Sequence, residues 1–476
     1  MESLILKNRW KILSVVVLGT LMSTLDSSIV NVALPVMSKN LGVGLDSIQW
    51  VVTSYLIVIS AFIVIFGKIA DRIGKSKIFL LGFMIFGTGS LLCALSNSLE
   101  FLIFSRIFQA VGASMFMATN QGLIAAVFPP NERGRALGLS GTTVALGTML
   151  GPPIGGFIVE FFNWQSIFLI NLPIVIVGLV MGLRLLPKKE VIEKSKGFDI
   201  KGSLLFIIFI VSLLWSVLSG EQMGWANYFI ISGFIISIIS IIIFYFTEKK
   251  AENPMLDFSM FDNKLFDISL FCGFISFLAM FSMNIIHPFY LQYIIKASPG
   301  MSGLLMIVSP ICIGIVAPIS GYISDKVGSE IITVFGLAFI ALGLVLTAFL
   351  NGQSSYGDIV FRVALIGIGS GLFQSPNNSI VMSCVPKNKL GVAGSINALV
   401  RNMGMVSGIA FSVVLLYNRM SYKIGYKVTN FVEGQNQAFL YGMKVVYITA
   451  AFICAIGVII TVMRMYKRKA KRSEGI

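Results

Sequence analysis

One carboxylate stands inside an otherwise apolar stretch. Asp26 lies near the centre of the run 12–37, between Leu25 and Ser27-Ser28-Ile29-Val30. A charge at bilayer depth is expensive, so an ionisable side chain there is a functional candidate by default. A carboxylate held between the opposing pulls of burial and a neighbouring cation can take up and release a proton. It can equally bind a cationic substrate, or form a structural ion pair or a hydrogen bond to a neighbouring helix. Arg106, in the run 101–124, is the natural cationic partner; snorkelling to the outer interface is the other reading of it. Arg401, in the run 391–416, either faces a cavity or packs against backbone carbonyls, and Arg362, near a run's end, reads as an interfacial anchor. His287 is the single histidine and precedes Pro288. Histidine titrates near neutral pH, so His287 is a second candidate proton carrier, or else a polar residue beside a proline kink. Asn31, Gln109 and Asn284 are further polar side chains that a cavity can use.

These residues need elements to hold them. A spanning helix takes about 20 largely apolar residues. Such runs lie at 12–37, 47–67, 77–97, 101–124, 135–160, 164–186, 200–220, 227–247, 266–291, 300–323, 330–350, 358–383, 391–416 and 441–463, which makes fourteen. The runs are continuous and do not alternate, so strands of a membrane barrel are not expected. The first run is too long for a signal-peptide core and lacks an A-x-A cleavage pattern, so it reads as a retained helix.

Composition agrees. Of 476 residues, 56% are hydrophobic and 12% are charged, against about 25% charged in a soluble domain. The net charge of +15 is spread over short loops rather than gathered in one stripe, which argues against nucleic acid. With both termini on the cytoplasmic side, 27 of the 36 Lys and Arg fall in cytoplasmic segments, six in outer loops and three (Arg106, Arg362 and Arg401) within helices. That is the asymmetry of the positive-inside rule. The five cysteines all lie in apolar runs without a C-x-x-C pair and read as packing residues. There is no H-E-x-x-H, G-x-S-x-G or phosphate-binding glycine loop, so an enzyme or a pumping ATPase is not expected.

The chain repeats itself. Gly67-Lys68-Ile69-Ala70-Asp71-Arg72-Ile73-Gly74 matches Gly321-Tyr322-Ile323-Ser324-Asp325-Lys326-Val327-Gly328 at four of eight positions. Asn31 and Pro35 match Asn284 and Pro288, while Gly112, Phe116 and Asn120 match Gly369, Phe373 and Asn377. Helices 1–6 therefore correspond to helices 9–14, with helices 7 and 8 between them. The expected domains are 1–190, a six-helix bundle; 191–250, an inserted pair; and 251–476, a second six-helix bundle with a basic tail. In helix 5, Gly147, Gly151 and Gly155 share one face, where small residues let backbones approach. That face is either tight packing or a hinge or seal in a moving interface. Asp71, among Arg72, Lys75 and Lys77, lies in a topogenic basic loop with a turn at Gly74, a reading that does not account for the carboxylate or its repeat at Asp325.

Taken with these features, the chain resembles the major facilitator superfamily, in its fourteen-helix drug:proton antiporter branch. The resemblance covers essentially the whole chain. It rests on Leu25-Asp26-Ser27-Ser28-Ile29-Val30-Asn31-Val32-Ala33-Leu34-Pro35, on Gln49-Trp50-Val51-Val52-Thr53-Ser54-Tyr55-Leu56, on Arg106-Ile107-Phe108-Gln109-Ala110-Val111-Gly112 and on Trp164 through Pro173. Its strongest part is helix 5, where Gly138, Gly147, Gly151, Pro152, Gly155 and Gly156 match the whole antiporter motif. Ser76, Ala110, Gln165 and Ser166 depart from the family pattern. The resemblance implies an all-α membrane protein of the major-facilitator fold, with two pseudo-symmetric six-helix bundles plus a two-helix insert. It implies a proton-coupled exporter of drug-like amphipathic compounds, in a bacterial cell membrane, acting as a monomer without cofactor or metal. Its partners are the small-molecule substrate, protons and the lipid bilayer. Export of an endogenous lipid or metabolite by the same fold is the alternative. Asp26 and Arg106 then couple proton and substrate, and Gly67, Asp71, Arg72, Gly74 and Asp325 form a cytoplasmic gate loop. Helix 13 has no acidic residue between 391 and 416, unlike the members of this branch that export divalent cations.

Overall fold

Inside a bilayer every backbone polar group must be satisfied within the protein, and a helix satisfies them within one segment. In the computed structural model, residues 2–187, 199–251, 258–385, 390–428 and 430–473 are described, and no strand occurs among them. Fourteen long helices follow in chain order. They are α1 (Glu2–Leu41), α2 (Trp50–Ile73), α3 (Lys75–Ala94), α4 (Leu99–Val127), α5 (Pro130–Phe161), α6 (Asn171–Leu185) and α7 (Ile200–Met223), then α8 (Tyr228–Lys250), α9 (Lys264–Phe289), α10 (Val308–Val327), α11 (Ser329–Thr347), α12 (Tyr356–Ser383), α13 (Leu390–Ile424) and α14 (Asn436–Ser473).

Among the described residues, 13 helical spans are long and apolar enough to cross a membrane. The fourteenth helix, α5, has 32 residues, but its described apolar segment is only Leu146–Phe161.

Several helices overrun the apolar limits. The stretch Gly67–Ile73 is the last part of α2, not a loop, and Asp325 lies on α10. Only Gly74 leaves the helix between α2 and α3. Hydropathy marks where charged residues begin, whereas Lys, Ala, Asp, Arg and Ile continue a helix into water without penalty comparable to Gly or Pro. Two spans are broken instead. The sixth is a short helix, Ser166–Leu169, followed by α6. The tenth is Pro299–Met306 followed by α10, and α9 runs on into a π-helical turn, Tyr290–Ile294, just after Pro288.

Two compact units divide the chain, α1–α8 and α9–α14. Each is built by the same pairings. In the first, α1 packs along α5 and α6, α3 along α4 and α6, and α2 along α4. In the second, α9 packs along α13 and α14, α11 along α12 and α14, and α10 along α12. The additional helices α7 and α8 pack on each other, and α7 packs on α2. Residues 188–198 and 252–257, at or beside the expected boundaries 190/191 and 250/251, lie outside the described residues.

The repeat reaches single atoms. Gly74 and Gly328 adopt φ of 111° and 98°, and each donates its N–H 2.9 Å to the carbonyl four residues earlier, Ala70 and Ser324. Such φ values favour glycine. A Cβ on Gly82 or Gly112 would strike the backbone of the facing helix in the α3–α4 contact, and one on Gly336 or Gly369 would do so in the α11–α12 contact. Asn120 donates to Thr20 on α1, and Asn377 donates 3.2 Å to the Ser269 carbonyl on α9.

Candidate functional site

Within the first unit, Asp26 is fully buried, at 0% exposure, and Arg106 is buried at 1%. They meet as an ion pair, Arg106 Nη1 to Asp26 Oδ2 at 2.6 Å. Neutral groups hydrogen-bond both members of the pair. Gln109 Nε2 donates 3.0 Å and Asn171 Nδ2 donates 2.8 Å to Asp26 Oδ1. Arg106 donates Nε–H to the Val51 carbonyl at 3.0 Å and Nη1–H to Gln109 Oε1 at 2.6 Å. Ser90 Oγ accepts from Gln109 at 2.8 Å and from Asn171 at 3.3 Å. The Tyr55 ring lies under the guanidinium, 4.1 Å from its centroid to Cζ, and Phe168 is 5.7 Å away; such faces attract cations.

Local structure explains the convergence. Arg106 and Gln109 are three apart on α4 and share a face. Ser90 sits on α3, which packs closely along α4 because Gly82, Gly89 and Gly112 carry no Cβ. The break at Ile170 begins a new helix at Asn171, where Pro173 is tolerated in the first turn, and the Asn171 amide reaches Asp26. Isolated charges are never stable in such a place, but a pair whose remaining donors and acceptors are satisfied can be.

The helix 5 motif backs this cluster. A Cβ on Gly147 would collide with Thr24, on Gly151 with Ser28 and on Gly155 with Ile29, all on α1. The Ser28 hydroxyl donates 3.1 Å to the Gly147 carbonyl. Pro152 and Pro153 lie inside α5 and remove two backbone donors. Gly156 is buried; Gly138 is helical, and its surroundings lie outside the described residues.

The gate residues separate. Asp71 is exposed and pairs with Lys75 Nζ at 2.7 Å, across the Gly74 turn. Exposed pairs contribute little. Arg72 is exposed, Gly67 has open space where a Cβ would go, and the side chain of Asp325 lies outside the described residues.

The other candidates behave differently from one another. Asn31 is buried on α1. Asn284, on α9, donates 3.1 Å to the Met280 carbonyl of its own helix. His287 is fully buried, neither ring nitrogen has a hydrogen-bond partner among the described residues, and its ring lies 5.6 Å from Tyr290. Arg362 bonds Asp358 at 2.9 Å and the Leu346 carbonyl at 2.6 Å, as an anchor near a helix end does. Arg401 lines a small cavity in the second unit. Sequence reasoning gave no role to Asn171, Ser90 or Tyr55, although two of them stand inside the motif stretches.

The model for the Major Facilitator Superfamily matches residues 16–247, 200–409 and 269–475. The chain belongs to the major facilitator superfamily, in its drug-efflux branch, and is a multi-pass membrane transporter rather than an enzyme. It is 38% identical over 97% of its length, and 99% of the relative's, to the riboflavin transporter RibZ of Clostridioides difficile. It is 31% identical to the multidrug resistance protein Stp of Mycobacterium tuberculosis, over 85% of this chain and 75% of that one. The methylenomycin A resistance protein of Streptomyces coelicolor is 28% identical, over 87% of each chain. Among solved structures, a POT family transporter in complex with 5-aminolevulinic acid superposes with a TM-score of 0.68 at 18% identity, over 94% of this chain and 96% of that one. That likeness is one of fold.

Proposed function

We propose that this transporter exports amphipathic organic compounds in exchange for protons, by alternating access, with Asp26 as the group that takes up the proton. The observation that carries the proposal is the sealed Asp26–Arg106 pair with Gln109 and Asn171 bound to it. Protonating Asp26 removes the counter-charge of Arg106 and turns an acceptor into a donor, so the closed arrangement loses its electrostatic basis. A buried network with two arrangements is the kind of element whose equilibrium a ligand can bias. The export direction rests on the complete helix 5 motif, whose glycines press α5 onto the α1 turns that carry Thr24 and Ser28. The relatives named for drug resistance support the substrate class. The distribution of Lys and Arg supports a cell-membrane protein with both termini in the cytoplasm.

A second reading is favoured by one finding, the 38% identity over nearly the whole chain to a riboflavin transporter. There the cargo is a planar heteroaromatic metabolite, and drug movement is incidental.

The test is efflux from bacterial cells expressing the protein. Preloaded ethidium or rhodamine 6G should leave faster than from control cells, and a protonophore should abolish the difference. Efflux indifferent to the protonophore rules out proton coupling. Movement of riboflavin with no movement of either dye selects the second reading.

A further inference from the structure

The second unit carries its own arginine at a cavity, half-buried where Arg106 is fully buried. Arg401, on α13, lines a cavity with Gln374, Asn377 and Asn378 of α12, Asn397 of α13 and Phe277 of α9. The cavity measures about 40 Å³. A water needs roughly 10–15 Å³ of such space, so the cavity admits a few waters or one carboxylate-sized group. The Arg401 Nε is buried with no hydrogen-bond partner, and Arg401 makes no ion pair among the described residues. Among the described residues no carboxylate lines the cavity.

The amides around it are held in place. Asn397 Nδ2 donates 2.8 Å to Asn378 Oδ1, Asn377 Nδ2 donates 3.2 Å to the Ser269 carbonyl, and Gln374 Nε2 lies 3.5 Å from Met280 Sδ. None of them accepts from Arg401. A guanidinium offers five donors, and a buried donor left without an acceptor costs free energy; here that donor is Nε, on a side chain that is otherwise half-buried. Arg106 solves the same problem with Asp26. Arg401 has the donors, the space and a lining of amides, of which Asn378 is exposed, and among the described residues its Nε has no acceptor.

We propose that Arg401, with Asn377, Asn378 and Asn397, is a subsite that receives a carboxylate, or a like anionic oxygen group, of the transported compound, with Phe277 as its apolar wall. The proposal rests on the reading of the chain as an exporter of amphipathic compounds and specifies part of what such a compound carries.

Rhodamine 19 and rhodamine 6G test it, because they share one ring system and differ as free carboxylate and ethyl ester. Binding of each to the purified full chain in lipid nanodiscs is followed by fluorescence anisotropy. The wild type should bind the carboxylate about tenfold more tightly than the ester, as a charge-assisted hydrogen bond implies. Arg401→Gln should abolish that preference and leave the ester's affinity within twofold. Arg401→Lys should keep part of it, since it retains the charge without the planar fork. Equal binding of the two dyes by the wild type, binding of neither, or a parallel loss of both in Arg401→Gln overturns the subsite. The wild-type comparison decides alone should the variant not fold. Carboxylate preference without dye movement in cells leaves the subsite standing and removes the export reading; dye export without the preference does the reverse.

Discussion

Two opposite charges sit at Asp26 and Arg106 with almost no solvent exposure, and their stability depends on neither being alone. Removing one partner of a buried pair is destabilising by about 3–5 kcal/mol, because the other remains as an uncompensated charge. Asp26→Asn and Arg106→Gln should each lower the thermal unfolding midpoint of the detergent-purified protein strongly. The double variant, which removes both charges, should unfold closer to the wild type than either single variant does. A double variant that loses the sum of the two single losses would show that the side chains do not act as a unit. The pair was legible in the sequence because a charge in an apolar run is conspicuous. Its surroundings were not. Asn171 and Ser90 are neutral, and neutral polar residues are frequent in membrane helices. Only the break at Ile170, which no hydropathy pattern marks, turns the Asn171 amide onto Asp26.

Glycine placement decides how the helices meet. At the α1–α5 contact, Gly147, Gly151 and Gly155 face Thr24, Ser28 and Ile29 with no room for a Cβ. Gly151→Val should therefore reduce both folded yield and dye efflux, whereas Gly67→Ala, which meets nothing within 4 Å, should leave the unfolding midpoint unchanged. Unfolding midpoints of both variants are read from thermal melts of membranes containing them, and yield and efflux from the expressing cells. Equal melts for the two would remove the packing account of the helix 5 motif. The spacing by four made this face legible in advance. Its counterpart in the second unit was not. At the α9–α13 contact, Gly404 and Gly408 lie against the backbone of Phe274 and Leu278, without the prolines and third glycine that make the first stripe recognisable. Helix ends were the least legible feature. The apolar rule stops at Gly67, but α2 continues to Ile73, because a helix leaving the bilayer changes its surface and not its backbone.

At the scale of the whole molecule, two units with the same helix pairings were foreshadowed by the match of 67–74 to 321–328, and their equivalence shows in the paired turns at Gly74 and Gly328. The excess of Lys and Arg in alternate loops predicts one orientation. Single cysteines introduced at Lys427, on the outer side, should react with an impermeant maleimide on intact cells, and those at Lys471 only after lysis; the reverse would invert the topology. The central claim is that proton movement through Asp26 drives export. Its most direct measurement is proton flux in proteoliposomes holding the purified protein and an internal pH indicator, on addition of rhodamine 6G. Wild-type vesicles should move protons only when the dye is present, and an imposed pH gradient should drive dye against its concentration. Reconstituted Asp26→Asn, verified as folded, should do neither. Dye movement of wild-type rate by Asp26→Asn under the same gradient would contradict the account.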